Sequence, residues 1–152
     1  MDEVIGLLRG RVVLCGQLLK LFTELIDVLK NNSSDTAELT GKIDTIIKSL
    51  SDNASKSQIF LDKIKVNSLA EFIFAQEKNI KRDVAEKLLT QADNFQQQLK
   101  VKMDTAAQLT AMGKKFVDFT LNVMTQTRSG NTYGAAAETP GQSKKHIFDA
   151  SC

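Results

Sequence analysis

Proline and aromatic residues are scarce in this chain. Its 152 residues include one proline, one tyrosine and no tryptophan. Proline breaks helices, and the single Pro140 lies near the end of the sequence, so most of the chain is free to form long helices. The sequence therefore favours an all-α fold, and its length is sufficient for one domain.

Residues that carry metal, nucleophilic or phosphate chemistry are also few. The only histidine is His146, and the two cysteines, Cys15 and Cys152, lack the number and spacing of a zinc site or a disulfide framework. No glycine-rich phosphate loop is present. We therefore predict no catalytic residue, no cofactor and no metal, and a protein that binds rather than an enzyme. Cys15 falls among apolar residues, which indicates a buried thiol and agrees with a reducing cytoplasm.

The distribution of charge argues against two further classes of protein. A net charge of +2, with lysines spread along the chain, is too weak for a nucleic-acid-binding surface. The aliphatic stretch at 4–29 is interrupted by charged residues at Arg9, Arg11, Lys20, Glu24 and Asp27. The chain also starts with acidic residues, where a signal peptide is basic. We predict no membrane insertion, no targeting segment and a cytoplasmic location.

Apolar residues recur at alternating steps of three and four, which is the heptad pattern of helices that pack side by side. In a first helix, at about 3–30, the stripe consists of Ile5, Leu8, Val12, Cys15, Leu19, Phe22, Ile26 and Leu29. Additional leucines widen this stripe, so we expect the helix to contact more than one neighbour. In a second helix, at about 36–66, the stripe contains two polar residues, Asn53 and Ser57. They either set the register or mark a loose stretch, and the poor helix formers around them slightly favour looseness.

The third part of the pattern is less regular. Ser68 and Glu71 have the spacing of a capping box and predict a short helix at about 69–80. A longer helix at about 83–127 follows, with a weaker seam, and the pattern leaves open whether 69–127 is one helix or two. The predicted architecture is an elongated antiparallel helical hairpin or three-helix, coiled-coil-like bundle over 1–127. Residues 128–152 are predicted to form a flexible C-terminal tail.

Two segments near the C-terminus indicate binding. Apolar side chains at 116–124 would surround a helix, and Asp118 is the only charge among them. An apolar patch left uncovered marks an interaction site, and Met103, Met112 and Met124 would add adaptable surface, although a place in a three-helix core is the open alternative. The tail carries the apolar anchors Tyr133, Ile147 and Phe148 in a polar context, which is typical of segments that fold on binding.

The layout of the chain resembles the FlgN family of flagellar export chaperones. Two long helices are followed by a longer one that ends in an apolar segment containing Asn122, and then by the dipeptide Tyr133-Gly134 and by Gly141. This likeness covers nearly the whole chain in layout, but its only sharp motif is Tyr133-Gly134. The alanines at 135–137 depart from the glycine-terminated turn that is usual in the family, which leaves the local conformation of the tail open.

The resemblance implies a cytoplasmic chaperone that binds hook-filament junction proteins, also called hook-associated proteins. Such a chaperone keeps its clients unassembled and delivers them to the flagellar type III export apparatus, and its C-terminal region holds the client. The predicted client-binding residues are Phe116, Phe119, Val123, Met124, Tyr133, Gly134, Ile147 and Phe148.

Two other functions stay open at this point. The imperfect seam of the long third helix could be completed by a second copy, which would make the protein a self-associating coiled-coil structural or adaptor protein. A helix that lies on a membrane surface is less favoured, because the charges of the first helix do not line one basic face.

Overall fold

The computed structural model describes residues 1–31, 36–110 and 119–124, and all regular secondary structure in these ranges is helical. Four helices are present: α1 (Asp2–Lys30), α2 (Ala37–Ile64), α3 (Leu69–Ala75) and α4 (Ile80–Leu109). A further helical turn covers 119–124. The predicted all-α class is confirmed. The predicted tail at 128–152 lies outside the described residues, so the division into bundle and tail stays a prediction.

The helix α1 lies between the other two long helices. Its C-terminal half shares a hydrophobic cluster with the N-terminal half of α2, and its N-terminal half packs with the end of α2, so this pair is antiparallel. The helix α4 runs in the same direction as α1, because both N-terminal halves lie in one cluster and both C-terminal halves in the other. Since α2 and α4 approach each other much less closely, α1 forms the centre of an up-down-up bundle.

The helix α4 ends where its partner α1 ends. Asp2 pairs with Lys81, with 2.8 Å between Oδ2 and Nζ, and a Cβ at Gly16 would lie 3.6 Å from the ring of Phe95. Both pairs are 79 residues apart (81 − 2 and 95 − 16), and the same separation places Lys30, the last residue of α1, beside Leu109. A longer α4 would have no α1 to pack against.

The predicted helix at 83–127 is therefore wrong in its extent, because the backbone leaves helical geometry at Thr110, with φ −134° and ψ 137°. The Thr110 hydroxyl donates to the carbonyl oxygen of Ala106 at 3.1 Å, which satisfies one of the last helical acceptors. The heptad pattern missed this end, because apolar spacing records which side chains can be buried and not where the partner helix stops.

The region that the sequence left undecided contains two helices, joined by a tight corner. The Ser68 side chain caps α3 by accepting from the Glu71 amide at 3.0 Å, as the capping motif predicted. This helix ends at Ala75 rather than near residue 80, because Asn79 caps a new helix by accepting from the amide of Arg82 at 3.0 Å. Two successive caps thus turn the chain from α2 into α4.

The buried face of each long helix includes much of the predicted stripe, such as Ile5, Leu8, Cys15, Phe22 and Ile26 in α1, and adds neighbouring positions. In α1 the core holds Arg11 and Leu18, whereas Val12 and Leu19 are only partly buried. Similar neighbouring positions are buried in the other two long helices, at Ile47, Ala54, Leu61 and Met103. A straight helix has 3.6 residues per turn and drifts from a strict heptad, and a helix flanked on two sides buries more than one seam.

A polar layer divides the core into two hydrophobic clusters. On α1 the buried Arg11 separates Leu8 of the N-terminal cluster from Cys15 of the other. On α2 the corresponding layer consists of Asn53 and the fully buried Ser57. Polar residues in a helical core favour one register at a cost in stability, so this layer specifies how α1 and α2 align.

Asn53 connects the two helices directly. Its Nδ2 donates to the carbonyl oxygen of Leu7 on α1 at 3.0 Å, and the Ser57 hydroxyl donates to the Asn53 carbonyl oxygen at 2.9 Å. The helix α2 continues without a break through this stretch. The two polar residues therefore set the register, and the slight preference for a loose stretch is not supported.

Burial also changes the titration of two groups beside this layer. Burial lowers the pKa of the Arg11 guanidinium to about 10, while Cys15 and Asp93 act in the opposite direction. Burial raises the pKa of the Cys15 thiol from 9.0 to about 11, and the positive charge of Arg11 opposes this rise. At neutral pH the core therefore contains a charged guanidinium and an uncharged thiol.

Alanine substitutions at two glycines of α1 test the contact with Asn53. A Cβ at Gly6 meets nothing within 4 Å, whereas a Cβ at Gly10 would lie 3.1 Å from Asn53 Nδ2. Gly6→Ala should raise the free energy of unfolding by about 0.5–1 kcal/mol, because glycine is a poor helix former. The free energy of unfolding of Gly10→Ala should lie about 1 kcal/mol below that of Gly6→Ala. The reason is that the Asn53 side-chain amide must shift, which weakens its hydrogen bond to the Leu7 carbonyl oxygen. Urea denaturation measures both values.

A double-mutant cycle provides the control for this comparison. In an Asn53→Ala background the obstruction is removed, so Gly10→Ala should stabilise the protein as much as Gly6→Ala does. Equal effects of the two glycine substitutions in the wild-type background would show that Asn53 does not constrain the approach of the helices.

The Cys15 thiol should be unreactive in the folded protein. In a Cys152→Ser variant, where Cys15 is the only thiol, we expect almost no reaction with Ellman's reagent at pH 8 and complete reaction in urea. Because the folded pKa is about 11 and the ordinary value is 9.0, the stabilising effect of the neutral thiol is complete below pH 9. It is lost as the pH rises towards 11. Rapid stoichiometric labelling without urea would contradict the burial of Cys15.

Candidate functional site

The helical turn at 119–124 contains three of the eight residues predicted to bind a client, namely Phe119, Val123 and Met124. Phe119 is 56 % exposed, whereas Thr120, Val123 and Met124 are 0 %, 6 % and 2 % exposed. The three buried residues have the spacing i, i+3 and i+4, which places them on one face of a helix. Phe119 lies at the edge of this face, four residues before Val123, and its ring is more than half exposed.

The buried face of this turn belongs to the C-terminal cluster of the bundle. All three long helices contribute to that cluster, with Phe22 and Ile26 from α1, Ile43 from α2, and Met103 from α4 among its members. Val123 and Met124 are part of the same cluster, so the chain returns to the bundle after α4 has ended. These two residues therefore lie in the core of the bundle, which is the alternative that the sequence had left open.

The other predicted residues have different outcomes. Phe116, Tyr133, Gly134, Ile147 and Phe148 lie outside the described residues, so their part in binding stays a prediction. The methionines were expected to add adaptable surface near the site, but Met103 and Met124 are buried. An unbranched side chain fills irregular gaps in a core as readily as it covers a surface, so sequence alone does not separate these roles.

A second exposed apolar feature lies at the corner between α3 and α4. Of three consecutive apolar residues, Ile73 is buried, Phe72 packs edge-on against Phe60 with ring centroids 5.4 Å apart, and Phe74 is 57 % exposed. The guanidinium carbon of Arg82 lies 5.8 Å from the centroid of the Phe74 ring. Arg82 Nη1 donates to the carbonyl oxygen of Gln76 at the end of α3, so this side chain connects the two sides of the corner and covers part of the phenyl face.

The charged groups of the described residues form no arrangement typical of catalysis. Hydrogen bonds lower the pKa of Asp2 and of Glu38 through Lys81 and Lys42, but both carboxylates are exposed. In the part of the chain that the structure describes, no group of three or more histidine, cysteine or acidic side chains is placed to hold a metal ion. None of the described helices is long and apolar enough to cross a bilayer.

Comparisons with known proteins identify the family. Residues 1–141 match the model of the FlgN protein family, which covers all the described helices and the predicted motif at Tyr133-Gly134. No curated protein sequence and no solved structure matches the chain significantly. The members of the matching family are flagellar export chaperones and not enzymes. This match and the all-α bundle show that the chain belongs to the FlgN family, as its layout suggested.

Proposed function

We propose that this protein is a cytoplasmic flagellar export chaperone that binds hook-associated proteins through its C-terminal helical segment and tail. It prevents their premature assembly and delivers them to components of the flagellar export apparatus. The family supports the role and the class of client. The observation that carries the proposed binding mode is the exposed Phe119 beside a buried anchor of the same helical turn.

The chemistry of Phe119 agrees with this binding mode. A phenyl ring that is more than half exposed on a short segment is an apolar anchor, and aromatic anchors contribute strongly to protein interfaces. In the client-free chain Val123 and Met124 hold the same turn against the bundle, so the exposed ring lies beside an apolar cluster to which all three long helices contribute. The predicted contacts at Phe116 and in the tail would extend this surface along the client.

The mode of binding follows from the chemistry of the client. Proteins that assemble through amphipathic helices expose apolar stripes before assembly, and an apolar surface on a chaperone can mask such a stripe by the helix-in-groove mode. Ordering a tail on binding lowers the affinity per unit of buried area, which favours later release to the export apparatus. A chaperone of this kind needs no catalytic group.

The substitution Phe119→Asp tests the proposed contact. Titration calorimetry with the C-terminal segment of a hook-associated protein from the same organism should show binding by the wild type in the micromolar range or tighter. Phe119→Asp should weaken it by about 2 kcal/mol or more, because burying a carboxylate in an apolar contact is unfavourable. Circular dichroism should show unchanged helicity, because the side chain is exposed.

The matched control is Ile59→Asp on α2. Ile59 is 67 % exposed and lies on α2 outside both hydrophobic clusters, so the same change of charge should leave client binding unchanged. A truncation to residues 1–127 tests the tail, and weaker binding by this form would support its contribution. If neither the full chain nor the truncation binds, the proposed role fails for that client, and a concentration-dependent mass would then favour the self-associating alternative.

A further inference from the structure

We propose that the groove now filled by Thr120, Val123 and Met124 is the docking groove for the amphipathic client helix, and that the client displaces the turn at 119–124. This inference rests on the proposed function and adds where on the bundle the client binds. The occupant is an amphipathic helix of a hook-associated protein. In the client-free chain, residues 119–124 occupy its place.

The first argument is the shape of what the groove already holds. The bundle accepts one helical face with buried residues at i, i+3 and i+4, of which two are the aliphatic Val123 and Met124. A groove that accepts this pattern from its own chain fits the same pattern on another helix, which is the spacing by which amphipathic helices are recognised. The chain's own segment thus indicates the chemistry of the partner.

The second argument is that the turn is an independent piece. The helix α4 has already ended, and the backbone at Thr110 is extended, so the turn does not continue the helical hydrogen bonding of α4. Undocking residues 119–124 therefore need not break the helical hydrogen bonding of α1 or α4.

The third argument is what undocking would uncover. Val123 and Met124 pack in a cluster whose rim includes the partly buried Leu21, Leu29 and Ala107. Removing the turn would leave the apolar side chains that Val123 and Met124 cover in this cluster facing water. An uncovered apolar surface of this kind attracts a second apolar helix. Client and turn therefore compete for one surface.

Competition between the turn and the client predicts that weakening the docked turn tightens client binding, whereas direct contact of Val123 and Met124 with the client predicts weaker binding. If the turn must leave first, the apparent affinity for the client is reduced by the fraction of chains that are open. The double variant Val123→Ala/Met124→Ala weakens the docked state and should tighten binding of the same client segment by about tenfold, up to the limit where every chain is open. If both residues contact the client instead, this variant binds more weakly.

The matched control is Phe119→Ala, which shortens an exposed side chain of the same turn. It removes a proposed client contact without loosening the docked face, so it should weaken binding, while the double variant strengthens it. The double variant should also increase the fluorescence of ANS (8-anilinonaphthalene-1-sulfonate) in the absence of client, and Phe119→Ala should not. If circular dichroism shows that the double variant is misfolded, the single variants Val123→Ala and Met124→Ala, which each remove less packing, take its place in the titration.

Hydrogen exchange of the wild-type chain gives a second test that needs no variant. When the client segment binds, the amides of 119–124 should lose protection, while those of α1 and α4 around the cluster keep theirs. Protection of 119–124 that is unchanged or increased overturns the displacement. If the wild type binds the client segment and the double variant binds it equally or more weakly, the displacement is overturned as well, while the chaperone role stays intact. No binding by any form overturns the proposed function and this inference together.

Discussion

The parallel pairing of α1 with α4 is the contact on which the rest of the structure depends. A constant separation of 79 residues, seen at Asp2–Lys81 and at Gly16 beside Phe95, fixes the register of the two helices along their whole length. The two helices also end together, at Lys30 and Leu109. Beyond the end of α4, Val123 and Met124 add to the cluster that all three long helices share.

The polar layer at the middle of the bundle has an energetic consequence for both ends. Burying a guanidinium costs free energy, and a hydrogen bond between helices contributes only about 0.5–1.5 kcal/mol. Arg11 and Asn53 therefore make the bundle less stable than an apolar layer at the same place would. Arg11 and Asn53 also separate the cluster that includes residues of α3 from the cluster that includes Val123 and Met124. A rearrangement of residues 119–124 of the kind proposed above therefore need not propagate through continuous apolar packing to the cluster around α3.

Much of this fold could be predicted from sequence, and the errors have a common cause. The wide apolar face of α1 and the Ser68 cap are local properties, recorded in spacing and residue type. The end of α4 at Leu109, the burial of Arg11 rather than Val12, and the burial of Val123 and Met124 all depend on what lies opposite in space. Periodicity shows that a face will be buried, but it does not show whether the covering surface is a neighbouring helix, the returning chain or a client.

That ambiguity has a physical meaning at the C-terminal segment. One helical turn carries a half-exposed aromatic ring at the edge of a buried aliphatic pair, so it has the composition of a core element and of a binding element at once. Burying apolar area favours docking on the bundle and masking a client's helix by the same mechanism, and the two states differ only in which apolar surfaces meet. If a client helix displaces this segment, as proposed, one apolar face replaces another without any break in the helical hydrogen bonding of α4. The early end of α4 is therefore the feature that makes exchange with a client physically accessible.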